Sequence, residues 1–438
     1  MAQWSNVAAH VAAESPELCE ALDRLHPDTA TDSLPICGKP GEKCWGADGA
    51  RDAIFCSLSD RDVEALVSAL QVQGILPGLK GLELRSHVGL TDVGARALAR
   101  LLEDSEGAVE ALDLFGCEIE GPGTQALCDV VAKHATLRTL RLDFNPLGRE
   151  GGLAIAKMLE HNTSLETLSL GSTSLDTTTM VCLYAVLRNC KYLTDVNLKK
   201  AVLYSKHDDT AKHAAQMLCV NSSLVCLNLA NTFVGDLGAQ TIAQALGRNS
   251  TCKRLCLANN QFGEAGALAF AELFRSKDCA IATLDLSHNR LGEVGGASLG
   301  SALAGNGTLR KLDLSFCGLG EEALRAVAAG MNLNSALQSL RLWGSDFSGT
   351  LSGASGDDGP PPMPSVRLSL QPMEGNNMSA KAAGVRDSDG SIAPSSAVAE
   401  LDLLLRGRFL HLDVECDLDV YEVDGVLQVA IRHVLPLF

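Results

Sequence analysis

The sequence predicts an α/β fold of the solenoid class, and three observations predict it. The pattern L-x-x-L-x-L returns along most of the chain at a spacing of about 28 residues. Within each copy the apolar period changes from two to roughly 3.6, which marks a short strand followed by a helix. The composition is 46% hydrophobic but only 4% aromatic. Such a core is built from Leu, Val, Ala and Cys in many thin, similar layers rather than around large rings.

The full pattern stands at Leu137, Leu140 and Leu142, at Leu165, Leu168 and Leu170, and again from Leu224, Leu309 and Leu337. Its central apolar residue is Leu82, Leu112, Leu140, Leu168, Val196, Leu227, Leu255, Leu284, Leu312 and Leu340 in turn. These are about ten leucine-rich strand-helix repeats of the ribonuclease-inhibitor type, whose strands line one side and helices the other of an expected horseshoe. Three residues after the last strand Leu stand Cys117, Asn145, Thr173, Thr232, Asn260, Asn289 and Cys317. A small polar side chain there satisfies backbone groups as the chain leaves the sheet. Gly-Ala pairs, as at Gly238-Ala239 and Gly266-Ala267, let each helix lie close to its neighbour.

Charge and composition narrow the function. A net charge of −17 argues against nucleic acid as a partner, because phosphate binding needs clustered Lys and Arg. No apolar run reaches the length of a bilayer span, and the first residues lack a basic segment followed by an apolar core, so no membrane partner and a cytoplasmic location are expected. The fifteen cysteines are scattered over repeat positions and read as reduced thiols. Asn162-Thr163-Ser164 and Asn221-Ser222-Ser223 match the glycosylation sequon but read as polar turns.

The period organises the chain into four segments. Residues 1–55 are expected to be an irregular N-terminal segment and cap, 56–347 the solenoid, 348–396 a flexible Gly/Ser/Pro-rich insertion, and 397–438 a C-terminal helix and β-hairpin cap. Asp60 with Val63, Leu66 and Leu70 predicts a capped helix of a half repeat. Val398 to Leu405 predicts the helix owed by the interrupted last repeat, and Leu418 to Ala430 a hairpin turning at Asp424-Gly425. The repeat around Val196 is lengthened through residues 201–210, an insertion that maps to a surface lip.

No phosphate-binding loop, nucleophile elbow or zinc-protease helix occurs, and Cys37 and Cys44 have no second ligand pair at zinc spacing. No catalytic residue, metal, cofactor or small-molecule substrate is therefore assigned. Residues between and just after the strand leucines turn onto the concave sheet and are the candidate protein contacts. They are Glu83, Arg85, Asp113, Phe115, Arg141, Asp143, Phe144, Asn197, Lys199, Asn228, Asp285, Asp313, Arg341 and Trp343, with Leu203, Tyr204, Lys206 and His207 on the long-repeat loop. Phe115, Phe144 and Trp343 stand out, since aromatics on a charged surface anchor partners.

Three stretches resemble the leucine-rich repeat-containing protein 34 family. They are the long repeat from Asn197 to Leu224 with Tyr204, Thr210, His213 and Met217, the strand Leu342-Trp343-Gly344-Ser345-Asp346-Phe347, and the hairpin with Val423-Asp424-Gly425-Val426. The resemblance implies a non-catalytic protein-binding scaffold in ciliated or flagellated cells, with subunits of an axonemal complex as partners, or alternatively a nuclear or nucleolar adaptor. Another class that uses the same solenoid is the Ran-GTPase-activating type. Members of that class carry an acidic C-terminal run, and none follows Ala399. The negative charge would also permit inhibition of a basic ribonuclease.

Overall fold

The computed structural model describes residues 2–12, 15–23, 33–38, 43–46, 49–52, 54–72, 78–105, 108–203, 208–342, 344, 367–368, 418–423 and 426–431. In chain order the elements are α1 (Ala2–Val11), α2 (Pro16–Asp23), β1 (Ser33–Cys37), β2 (Lys43–Gly46), β3 (Gly49–Asp52), β4 (Ile54–Phe55), α3 (Asp60–Val72), β5 (Gly81–Arg85) and α4 (Asp92–Asp104). The repeats continue with β6 (Ala111–Asp113), α5 (Gly121–Val131), β7 (Thr139–Arg141), α6 (Gly148–Leu159), β8 (Thr167–Ser169), α7 (Thr177–Leu187), β9 (Asp195–Asn197), α8 (Asp209–Val220) and β10 (Cys226–Asn228). Then come α9 (Asp236–Leu246), β11 (Arg254–Cys256), α10 (Glu264–Arg275), β12 (Thr283–Asp285), α11 (Gly292–Leu303), β13 (Lys311–Asp313), α12 (Glu321–Leu333) and β14 (Ser339–Arg341). Beyond them lie β15 (Arg367–Leu368), β16 (Leu418–Val423) and β17 (Val426–Ile431).

Two compact units result. The first comprises Met1–Val234 with Arg248–Asn260, and the second Gly235–Gly247 with Gln261–Phe438. In the first, a parallel sheet runs β4-β1-β5-β6-β7-β8-β9-β10-β11, and in the second β12-β13-β14 does the same. This alternation is a leucine-rich repeat solenoid of the ribonuclease-inhibitor type. No helix among the described residues is long and apolar enough to cross a membrane.

Register follows the repeat. Leu140 lies opposite Leu168, and Leu168 opposite Val196, all buried. Each rung is thus shared by two neighbours, so none can bury its face alone. Leu168→Ala is expected to cost about 2–5 kcal/mol through lost transfer energy plus a cavity. Chemical denaturation should show a clearly lower midpoint than for Glu166→Ala, whose parent side chain is exposed.

The first segment is more regular than its sequence predicts. Residues 1–55 supply two helices, the sheet strands β1 and β4 and the β2–β3 hairpin, with Leu34 opposite Leu82 and Ile36 opposite Leu84. β1 is thus the strand of a further repeat whose helix is α3, not of a half repeat. Two features hid it. Pro35 interrupts the apolar pair, and the β2–β3 hairpin separates strand from helix. At the other end, β16 and β17 form the expected antiparallel pair, but they join β15 in a three-stranded sheet of their own. The 424–425 turn, the 398–405 helix and, apart from β15, the 348–396 insertion lie outside the described residues.

Helix ends are tied from one layer to the next. Asp60 Oδ1 accepts from the backbone N–H groups of Thr91 and Gly94, and Asp236 Oδ1 from those of Gly263 and Gly266. A carboxylate in one helix's first turn thereby caps the following helix. His134 plays a related part after α5, its Nδ1 accepting the N–H of Leu137 at 3.1 Å. Burial holds its imidazole below the ordinary value of 6.5, against a smaller opposing effect of the Leu102 backbone. The folded chain therefore resists protonation that the unfolded chain accepts. The stability involved is complete above pH 6.5 and is lost as pH falls through the depressed value. His134→Gln should flatten the pH dependence of Tm in that window.

Candidate functional site

The strand-side face of the first unit carries the densest set of candidate residues. Besides the residue before the first strand leucine, three positions per repeat face outward here, namely the residue between the two strand leucines and the two residues after the second.

The first of these positions is largely structural. Sequence reasoning offered Asp113, Asn197, Asn228, Asp285 and Asp313 as partner contacts. In the structure the side-chain oxygen of each accepts the backbone N–H two residues further on, at 2.9–3.2 Å. That N–H sits where the strand ends and has no ladder partner, so a short Asp or Asn serves it best. Glu83 and Asp113 are each 4% exposed, Asp143 5% and Arg85 8%. These four lie within the surface rather than on it, a correction to their reading as exposed contacts.

Their charges are compensated locally. Asp113 Oδ2 lies 3.8 Å from Arg85 Nε and 3.6 Å from Arg141 Nη1. Burial pushes the Asp113 carboxyl above the usual 3.8, while Arg85, Arg141 and the Phe115 N–H pull it down and Asp143 adds to the rise. The native state thus holds this proton more tightly than the unfolded chain. Its contribution is full below pH 3.8 and is lost as pH rises through the shifted value. Asp143 Oδ1 accepts from Gly171 N–H and from Asn197 Nδ2, both at 2.9 Å.

Above this layer lies an aromatic and cationic ladder. The rings of Phe115 and Phe144 sit 4.9 Å apart, Arg85 lies 4.7 Å from the Phe115 centroid, and Lys199 Nζ lies 5.7 Å from that of Phe144. Lys199 reaches Phe144 from two repeats away because residue 171 is glycine. A Cβ there would stand 2.6 Å from Asp143 Oδ1 and 2.8 Å from Lys199 Cγ.

The third outward position adopts a left-handed backbone throughout: Ser86, Gly116, Phe144, Ser172, Lys200, Asn231 and Asn259 in the first unit, and His288, Phe316 and Gly344 in the second. The N–H of this residue donates to the next repeat, as from Phe144 to Gly171 O and from His288 to Ser315 O. Gly and Asn tolerate the conformation, whereas a bulky side chain is strained in it. Phe144 (φ +57°) and Phe316 (φ +55°) are nevertheless phenylalanine, each 44% exposed. His288, read from sequence as a strand-end surface residue, is exposed and stacks on Phe316 with centroids 4.6 Å apart.

Other candidates are dispersed. Arg341 is exposed at the end of β14, 3.6 Å from Asp313. Leu203 is half-buried in the long-repeat loop. Tyr204, Lys206, His207 and Trp343 lie outside the described residues. The Phe316–His288 stack was missed as a site, although its left-handed slot recurs at a fixed distance from each strand.

The slot after the strand behaves as its composition predicts. Asn145 Nδ2 donates to the carbonyls of Leu114 and Leu142, and Cys117 and Cys317 turn their Sγ to those of Leu84 and Leu286. Burial pushes both thiols up to about 12, so they are poor nucleophiles. A second buried series was not foreseen. Asn162, Asn221, Asn249, Asn306 and Asn334 each donate through Nδ2 to a carbonyl of the preceding layer and accept N–H bonds from their own turn. At Asn162 and Asn221 the sequon is thus the trace of a backbone clamp. Among the described residues no group of three or more His, Cys, Asp or Glu is placed to hold a metal.

Repeats, register and slots define the leucine-rich repeat fold. The family model described as Leucine Rich repeat matches residues 109–128, 133–156, 220–243, 281–300 and 305–328. The chain is 26% identical over 332 residues to human NACHT, LRR and PYD domains-containing protein 5, covering 75% of this chain and 23% of that one. It is 27% identical over 293 residues to mouse ribonuclease inhibitor and 28% over 290 to that of pig, covering 66% of this chain and 56% of each relative. The chain therefore spans between about a quarter and somewhat over half of the length of these relatives.

Proposed function

We propose that this chain is a non-enzymatic protein-binding scaffold that works through the strand-side face of its repeats. One observation carries the reading. Phe144 occupies a left-handed backbone position with 44% of its surface exposed, although Asn231 and Asn259 show that the same slot accepts a far less strained residue. Strain of this kind persists where a side chain has a purpose beyond stability. The buried acids and arginines beneath hold the aromatic ladder in place, and a fixed aromatic anchor loses little entropy when it binds.

Phe144→Asn separates binding from folding. It relieves the backbone while removing the ring contact, effects of about 1 kcal/mol each and of opposite sign, so Tm should change little. Cross-linked capture from cells should then recover fewer specific partners than the wild type. Val294→Asn, on the exposed helix side of the second unit, is the control. An identical partner set for Phe144→Asn and the wild type would remove the strand-side face from consideration.

The resemblance to the leucine-rich repeat-containing protein 34 family supports an axonemal setting. The tagged protein should then stay with detergent-extracted axonemes. Release into the soluble fraction would discard that setting and leave the scaffold reading intact. For the GTPase-regulating alternative, stimulation of single-turnover GTP hydrolysis at sub-stoichiometric protein would displace the scaffold reading.

A further inference from the structure

The charges on the strand-side face of the first unit are sorted by depth. From Leu82 to Lys200 the two positions after each strand and the one between its leucines hold seven charged residues, Glu83, Asp113, Asp143, Arg85, Arg141, Lys199 and Lys200, and the outward position before the leucine adds Asp195. The three acids among the seven are buried. Arg85 is buried with them, while Arg141 and Lys199 are half-buried and Lys200 is exposed. What reaches solvent at these seven residues is cationic, Arg141 while also paired with Asp113 beneath it, in a chain of net charge −17. The adjoining Asp195 does not reverse this, because Arg254 Nη2 holds its Oδ1 at 2.7 Å.

One of these cations also covers an apolar centre. Lys199 covers one side of Phe144, which packs on Phe115. Arg141 lies on the strand that precedes Phe144, and Lys200 follows Lys199 in a left-handed turn. The face therefore offers an exposed ring beside a lysine, above a layer of buried acids.

We infer that this surface takes an acidic segment of a partner protein, with an aromatic or branched aliphatic side chain seated against Phe144 and carboxylates toward Arg141, Lys199 and Lys200. The inference rests on the scaffold reading and adds the partner's chemistry. Complementary charge accelerates encounter and selects the partner, and the apolar contact slows release. The net negative charge of the whole chain disfavours such a segment at large.

The test uses the full chain and a display library of random 12-residue peptides. Panning should enrich peptides that combine several Asp or Glu with a Phe, Trp, Leu or Ile. Selected peptides should bind Phe144→Asn and the Lys199→Ser/Lys200→Ser double variant at least tenfold more weakly, with Tm close to wild type. Their affinity should also fall as salt rises. Enrichment of basic or uncharged peptides that still depend on Phe144 would overturn the acidic partner while leaving the scaffold reading in place. Acidic peptides indifferent to both variants would overturn the assignment to this surface. A single-stranded oligouridylate that binds as tightly as the selected peptides would replace the protein partner with nucleic acid. If no peptide enriches and Phe144→Asn leaves the cellular partner set unchanged, both readings fall together.

Discussion

Gly330→Ala is expected to loosen the last repeats of the second unit about as much as truncation of an apolar rung would. Ala ordinarily stabilises a helix by about 1 kcal/mol relative to Gly. Here α11 and α12 approach backbone to backbone. A Cβ at residue 330 would fall on the carbonyl oxygen of Gly300, and one at Gly300 would lie 2.6 Å from the Ala326 carbonyl carbon. Neither obstacle is a flexible side chain, so relief requires the helices to separate and opens the layer that Leu299, Leu303, Val327 and Met331 fill. The cost should lie at or beyond the upper end of the roughly 1–3 kcal/mol typical of overpacking. That corresponds to a Tm lower by on the order of 5–10 °C. Calorimetry on the full chain checks the size, and hydrogen exchange should show protection lost first in α11 and α12. An unchanged or raised Tm would mean that the close approach is not maintained in solution.

Asn260→Ala is the second large effect. The side chain donates to the carbonyls of Leu229 and Leu257 at 3.0 and 2.9 Å, and its Oδ1 accepts the N–H groups of Thr232 and Val234, both at 3.0 Å. Truncation leaves these buried backbone groups without the partner that the Asn260 amide supplies. Each such loss costs about 1–3 kcal/mol before relaxation, so about 3 kcal/mol in total is expected from urea denaturation. Asn260→Thr should fall between wild type and Ala. Thr232, one repeat earlier, reaches only the carbonyl of Leu229 with its hydroxyl. If Thr proved as damaging as Ala, donation to the carbonyl would contribute nothing and acceptance from the N–H groups would carry the effect.

Much of this was legible in the sequence because the repeat signal is local. Leu137, Leu140 and Leu142 mark strand and facing direction within six residues, and the slot at Asn145 follows at a fixed distance. The β1 strand escaped because Pro35 and a hairpin insertion break that local signal, and only its parallel register with β5 reveals it. The second asparagine series was in plain view as sequons, but a sequon says nothing about burial. At Asn162 the amide reaches Val131, 31 residues away, a distance visible only once the layers are stacked.

The candidate surface shows the same division. Alternation alone assigned Glu83, Asp113, Asp143 and Phe144 to one face, and the structure keeps all four there. Burial then separates them. The three acids are buried, Asp113 and Asp143 accepting internal hydrogen bonds, whereas Phe144 is exposed in the left-handed turn from which its N–H donates to the next repeat.

The linear order of residues by itself determined the period, the strand-helix alternation, the aliphatic rungs and the polar slots, since each depends on neighbours within about one turn or one strand. Tertiary structure alone decided which charges reach solvent and which two helices touch through glycine. It also decided that Lys199 lies over a ring 55 positions earlier in the chain. Those outcomes depend on the distance between successive layers, a quantity fixed by packing and written in no single repeat.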